Sequence, residues 1–141
     1  MIRFGLAIAA IAALISVTPA YAAEGTQSWL SATAGQGQGR VLVAATPREH
    51  GEFYAQGEVE IEGAPADTQM IVTRALYTPG CASITAPWAP VTTLQTSGGG
   101  AGAAHFVRDT PLVSGSTFYV VFRVSGGGTV LESDCITVLV K

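Results

Sequence analysis

Charge is scarce in this chain. Asp, Glu, Lys and Arg make up 12% of its 141 residues, ten acidic side chains against seven basic ones, for a net charge of −3. Nowhere do Lys and Arg gather into a stripe that could track a phosphate backbone, which argues against nucleic acid as a partner. Histidine and cysteine are scarcer still, two of each: His50, His105, Cys81 and Cys135. A structural zinc site takes about four nitrogen or sulfur ligands and a catalytic one about three plus water, so this inventory argues against a metal centre. There is no G-x-S-x-G phrase for a nucleophile elbow and no G-x-x-x-x-G-K-[ST] phrase for a phosphate loop. Helical periodicity is missing after the leader. Gly (17 residues), Ala, Thr, Ser and Val are abundant instead, a composition of sheets and tight turns.

The one long apolar run stands at the start. Met1-Ile2-Arg3 carries a single positive charge, Phe4 to Val17 is broken only by Gly5 and Ser16, and Thr18-Pro19-Ala20-Tyr21-Ala22 ends in a small-x-small site. That order is a secretory signal peptide. The run is shorter than the roughly 20 residues of a membrane-spanning helix. Cleavage after Ala22 puts Ala20 at the third position before the cut, whereas cleavage after Ala23 would put Tyr21 there. The expected organisation is a signal peptide over 1–22, an N-terminal lead-in over 23–38 and one domain over 39–141. Loss of Arg3 takes the charge from −3 to −4. No cysteine follows the cut for a lipid anchor. The mature protein is expected in the extracellular or periplasmic space, without membrane attachment, cofactor or nucleic acid, and with an extracellular ligand or protein as its unidentified partner.

Alternation with period two recurs through the rest. In Ala55-Gln56-Gly57-Glu58-Val59-Glu60-Ile61-Glu62 the apolar residues and Gly57 share one face and the polar residues the other, as in a half-buried strand. Gly39 to Thr46, closed by Pro47, gives a first strand. Gln69 to Leu76 gives another, with Met70, Val72 and Leu76 inward. Val91 to Thr96 and Ala103 to Arg108 flank the glycine-rich loop 97–102 and read as a hairpin. Ser116 to Ser125 places Phe118, Val120, Phe122 and Val124 on one face. After Gly126-Gly127-Gly128 comes the last strand, Thr129 to Val140. Its phase is inconsistent: Ile136, Val138 and Val140 share a parity that Leu131 does not. A bulge near Ser133-Asp134 would reconcile them; a strand buried on both faces is the alternative. Seven strands, or eight with a short piece near Cys81, spaced by turn signals, predict an all-β, antiparallel β-sandwich.

The phrase "GAPADTQMIVTRAL" after an alternating strand resembles the corresponding hairpin of fibronectin type III and other bacterial immunoglobulin-like modules. Together with "GEVEIEGAPADTQ", "TSGGGAGAAHF" and "VLESDCITVLVK", the chain looks like small secreted bacterial proteins without an assigned function. The resemblance implies an immunoglobulin-like sandwich and carries over no functional residue. Trp88 lies between Cys81 and Cys135, a partial match to the Cys…Trp…Cys order of immunoglobulin domains.

Two cysteines in an exported chain most economically pair with each other, so Cys81 and Cys135 are expected to form a disulfide. Gly98 to Ala103 formally fits the dinucleotide phrase G-x-G-x-x-A, but a strand rather than a helix follows, and a hairpin loop is the simpler reading. His50 falls in a polar turn and His105 on the outward side of a strand. The row Glu58, Glu60, Glu62 reads as a solvated face with cross-strand partners such as Arg74 or Arg123. Among the aromatics, Trp29, Trp88 and Tyr119 are candidate ligand contacts, alongside Tyr54 and Tyr77; for Trp88, between Pro87 and Pro90, a cap over the core is the favoured alternative. No catalytic residue is assigned. The reading is a non-catalytic binding or structural module, ahead of a carrier of a small apolar molecule and, last, an extracellular hydrolase. The intact mass of the exported protein should correspond to a chain beginning at Ala23; a chain retaining Met1 would remove the export argument.

Overall fold

The computed structural model describes residues 26–47, 50 and 53–140, apart from the side chains of 109–111. The expected signal peptide over 1–22, Ala23, and Arg48, Glu49 and Gly51 of the expected polar turn lie outside that description. The strands are β1 (Thr26–Ala34), β2 (Gln38–Pro47), β3 (Phe53–Glu62), β4 (Gln69–Tyr77), β5 (Ala89–Gln95), β6 (Gly102–Leu112), β7 (Thr117–Gly126), β8 (Thr129–Ser133) and β9 (Ile136–Leu139). All pairings are antiparallel and join into one sheet of order β5-β4-β7-β8-β1-β2-β3-β6, with β9 also on β7. The sheet curls until its terminal strands β5 and β6 approach each other, nearly closing a barrel. A single 3₁₀ turn, Pro79–Cys81, follows β4.

The sheet starts at Thr26 rather than at Gly39. The segment expected as a lead-in, 23–38, contains β1, which pairs with both β2 and β8. Its alternation is present in the sequence: Ser28 and Leu30 are buried, while Gln27, Trp29 and Ser31 are exposed. Gly35 (φ 70°) and Gly37 (φ 121°) then turn the chain into β2, and a Cβ at Gly35 would strike the backbone of Gly128. Between β7 and β8, Gly127 and Gly128 both have positive φ, as a two-residue hairpin with a type I′ turn requires.

The expected inward residues form one core. Met70 and Val72 from β4, Val120, Phe122 and Val124 from β7, and Val59 and Ile61 from β3 are all buried together, with Leu76 and Phe118 packed at the margin. Phe106 and Phe122 meet across the interior with ring centroids 5.4 Å apart. Gly57 makes room for this pair, because a Cβ there would strike the Phe106 ring.

The segments around loop 97–102 are not a laddered hairpin. Ser97 N–H donates to Ala101 O at 2.8 Å, but Thr96 N–H already turns away to Thr68 O at 2.9 Å. From there β5 follows β4 and β6 follows β3, since Leu94 and Phe106 must both bury toward the shared core. The loop joins the two ends of the sheet and leaves a seam between them.

The last strand contains the one-residue shift. Val120 is opposite Ile136, but Arg123 is opposite Glu132, one position short of regular register. The extra residue brings Leu131 and Ile136 into the same core. Side chains take up the interrupted ladder: Ser133 Oγ accepts from Phe122 N–H at 2.9 Å, and Ser28 Oγ accepts from Asp134 N–H at 3.0 Å. Cys135 emerges beside the bulge and bonds to Cys81, with Cα atoms 5.8 Å apart. The Pro79–Cys81 turn contacts β4 and β7, where outward-facing Ala75 and Val121 are buried. Thr78 N–H to Ser83 O (2.9 Å) closes this loop, and Cys81 itself has φ 56°. Disulfides of this kind persist in oxidising compartments.

The bridge closes 54 residues of sequence, for which the chain-entropy model gives about 4 kcal/mol. Cys81→Ser/Cys135→Ser should therefore lose about 2–5 kcal/mol in denaturant unfolding of the oxidised protein; an unchanged midpoint would contradict the staple. Gly57→Ala should lose about 1–3 kcal/mol by overpacking against Phe106 in the same assay.

Candidate functional site

The outward residues of β1, β2, β3 and β6 line up by register. Trp29 faces Arg40, Arg40 faces Glu60, and Glu60 faces Ala103. One row over, Ser31 faces Gln38 and Gln38 faces Glu62. Neighbouring strands lie about 4.8 Å apart and same-face residues about 7 Å along a strand, so the two rows cover roughly 15 by 7 Å. The small residues Ala101, Gly102 and Ala103 leave a floor between Trp29 and Ser97, and the result is an open groove of about 1090 Å³.

Its polar groups are fixed in place. Arg40 holds Glu60, with Nη2 to Oε2 at 2.8 Å and Nε to the same oxygen at 2.9 Å. Gln38 Nε2 donates to Glu62 Oε1 at 2.6 Å. Both pairs are exposed, so they add little stability; they do orient donors and acceptors toward solvent. Trp29 stands over them with 67% of its surface exposed. A large aromatic is mostly buried on average, and among the described residues no ring contact to this indole is seen. Rigid strands, an indole face and oriented carboxylate, amide and guanidinium groups can hold a ligand that is flat on one side and hydroxylated or amide-bearing on its rim.

The acidic row is thus partnered as expected in kind but by other residues. β3 lies between β2 and β6, so Glu60 meets Arg40 of β2 and not Arg74 or Arg123. Arg123 instead bonds Glu132 on β8 at 2.9 Å. Glu58 stands opposite His105 in the next row of the outer face. His105 is exposed, as is His50, which has φ 63°. Among the described residues no three His, Cys, Asp or Glu side chains converge as a metal site would require.

The three candidate aromatics are not brought together. Trp88 does not cap the core: its ring stacks on the Arg123 guanidinium, 4.0 Å from centroid to Cζ, on the outer side of β7. Arg123 is outward because Phe122 and Val124 take the inward positions. Through Glu132 and Ser31 this stack continues by register into the groove's second row. Tyr119 is half-buried on β7, opposite Tyr77 and Thr137. Only Trp29 lines the groove. Gln38, Arg40 and Ala103 escaped the sequence reading; alternation in Gln38-Gly39-Arg40-Val41 marks the first two as outward, but only pairing with β1 sets them beside Trp29. No helix among the described residues is long and apolar enough to cross a membrane. Comparison with protein families, with characterised proteins and with solved structures found no match to this chain.

Proposed function

We propose that the chain is a secreted, non-catalytic binding module of immunoglobulin-like type, acting outside the cell or in the periplasm, and that the Trp29 groove is its ligand face. The observation that carries this reading is the exposed indole of Trp29 beside two fixed polar pairs on a rigid sheet. The disulfide and the signal-like leader support the compartment. An all-β, wholly antiparallel sheet curled around one core is the feature it shares with an immunoglobulin-like fold. The matching ligand is a hydroxylated ring such as a sugar unit, whose apolar face stacks on indole while its hydroxyls bond to carboxylate and guanidinium. A carrier of an apolar molecule would need apolar space inside, yet the interior is occupied by fully buried side chains such as Val41, Val59, Val72 and Leu131.

Screening the exported protein on a glycan array, with native mass spectrometry of the protein from culture supernatant, tests the reading. For any glycan that binds, Trp29→Ala should weaken affinity at least tenfold, about 1.4 kcal/mol, and Arg40→Ala should weaken it in the same direction. His50→Ala and His105→Ala should each change it by less than about 1 kcal/mol. A hundredfold loss from either histidine variant, with the fold intact, would make the site an enzyme's or a metal's.

A further inference from the structure

Two arginines occupy core-facing positions. Along β4, Met70, Val72 and Leu76 point inward, and Arg74 falls in the same alternation; along β6, Arg108 follows inward Phe106 by two residues. Register places Arg74 beside Phe122 on β7 and Arg108 beside Ala55 on β3. Since Phe122 and Phe106 are in ring contact across the interior, both guanidiniums enter the same end of the curled sheet, from the two sides of the seam. β5, which lies on the β4 side of that seam, begins at Ala89, the partner of Arg74. At that level the seam opens, while β6 continues to Leu112. The partly buried Phe53, Leu76, Leu112 and Phe118 pack against this end of the core.

Both arginine residues are half-buried, and among the described residues neither side chain makes a hydrogen bond or an ion pair. Burial holds the Arg74 guanidinium below its ordinary pKa, and the charge of Arg108 pushes it the same way. Two like charges beside apolar side chains, with no facing carboxylate among the described residues, make an unfavourable pair that an anion would relieve. A guanidinium is a planar fork of donors matched to oxyanions, and the apolar surroundings strengthen such bonds.

We propose that Arg74 and Arg108 form a binding site for an oxyanion, a carboxylate, sulfate or phosphate group, at the open end of the seam between β4 and β6. The site is separate from the Trp29 groove and does not depend on that groove's ligand.

The test is a titration of the full exported chain with sodium sulfate, sodium phosphate and sodium acetate in turn, at constant ionic strength held with sodium chloride. The readout is the NMR signals of the arginine side-chain Nε–H groups. The signals of Arg74 and Arg108 should move together and saturate with at least one of the three anions, while those of Arg40 and Arg123 do not saturate. Tighter binding of sulfate or phosphate identifies a tetrahedral ligand, and tighter binding of acetate a carboxylate. Arg74→Gln and Arg108→Gln should each weaken that binding at least tenfold, Trp29→Ala should leave it unchanged, and neither glutamine variant should lower the melting temperature in anion-free buffer. Absence of a saturable response to all three anions overturns the proposal; this arm uses the unaltered protein and holds even if a variant does not fold. A melting temperature several degrees lower for either glutamine variant also overturns it, because the guanidinium would then be held by a carboxylate of the chain itself.

Discussion

The one-residue bulge before Cys135 is the constraint on which the rest of this structure depends. Without it, a strand that buries Ile136 and Val138 would turn Leu131 outward, and β8 would lose its place in the core. With it, β8 stays paired to β7 on one side and β1 on the other, and so joins the two halves of the curled sheet. The backbone groups freed by the shift are met by two serine hydroxyls, Ser133 on the bulged strand and Ser28 on β1. Ser28 is also the neighbour of Trp29. The local irregularity that closes the core therefore fixes the strand that carries Trp29, the exposed aromatic of the groove.

The bulge also explains how the disulfide is used. Cys135 leaves the ladder where the pairing of the last strand with β7 shifts by one residue, and there it meets a loop that contacts β4 and β7. That loop covers Ala75 and Val121, which would otherwise be apolar surface. The outer side of the curled sheet thus has two regions with different physical characters. Over β4 and β7 it is covered and stapled; over β1, β2, β3 and β6 it is open and polar, with Trp29 above it. The interior is filled, and at the seam the arginines replace apolar residues in the inward alternation.

Much of this was legible in the amino-acid order. Period-two alternation gave the inward faces of β3, β4 and β7, because side chains on a strand alternate strictly and one face must bury. The cysteine count predicted the pair, and the phase conflict between Leu131 and Ile136 offered a bulge beside a strand buried on both faces, between which the register decides. These are local or arithmetic properties, and they survive without knowledge of which strand lies beside which. Strand order was decided only in the tertiary structure. The sequence placed Trp88 at the core and offered Arg74 or Arg123 to the glutamate row, since nothing local says that β3 lies between β2 and β6. It made a hairpin of β5 and β6, because a glycine-rich loop between two strands reads the same whether they pair or part. It passed over β1, whose alternation is short and follows the apolar N-terminal run. The groove is an accident of none of its strands singly: Trp29, Arg40, Glu60 and Ala103 come from four of them, and only long-range register, set by burial of their opposite faces, brings the four into one row.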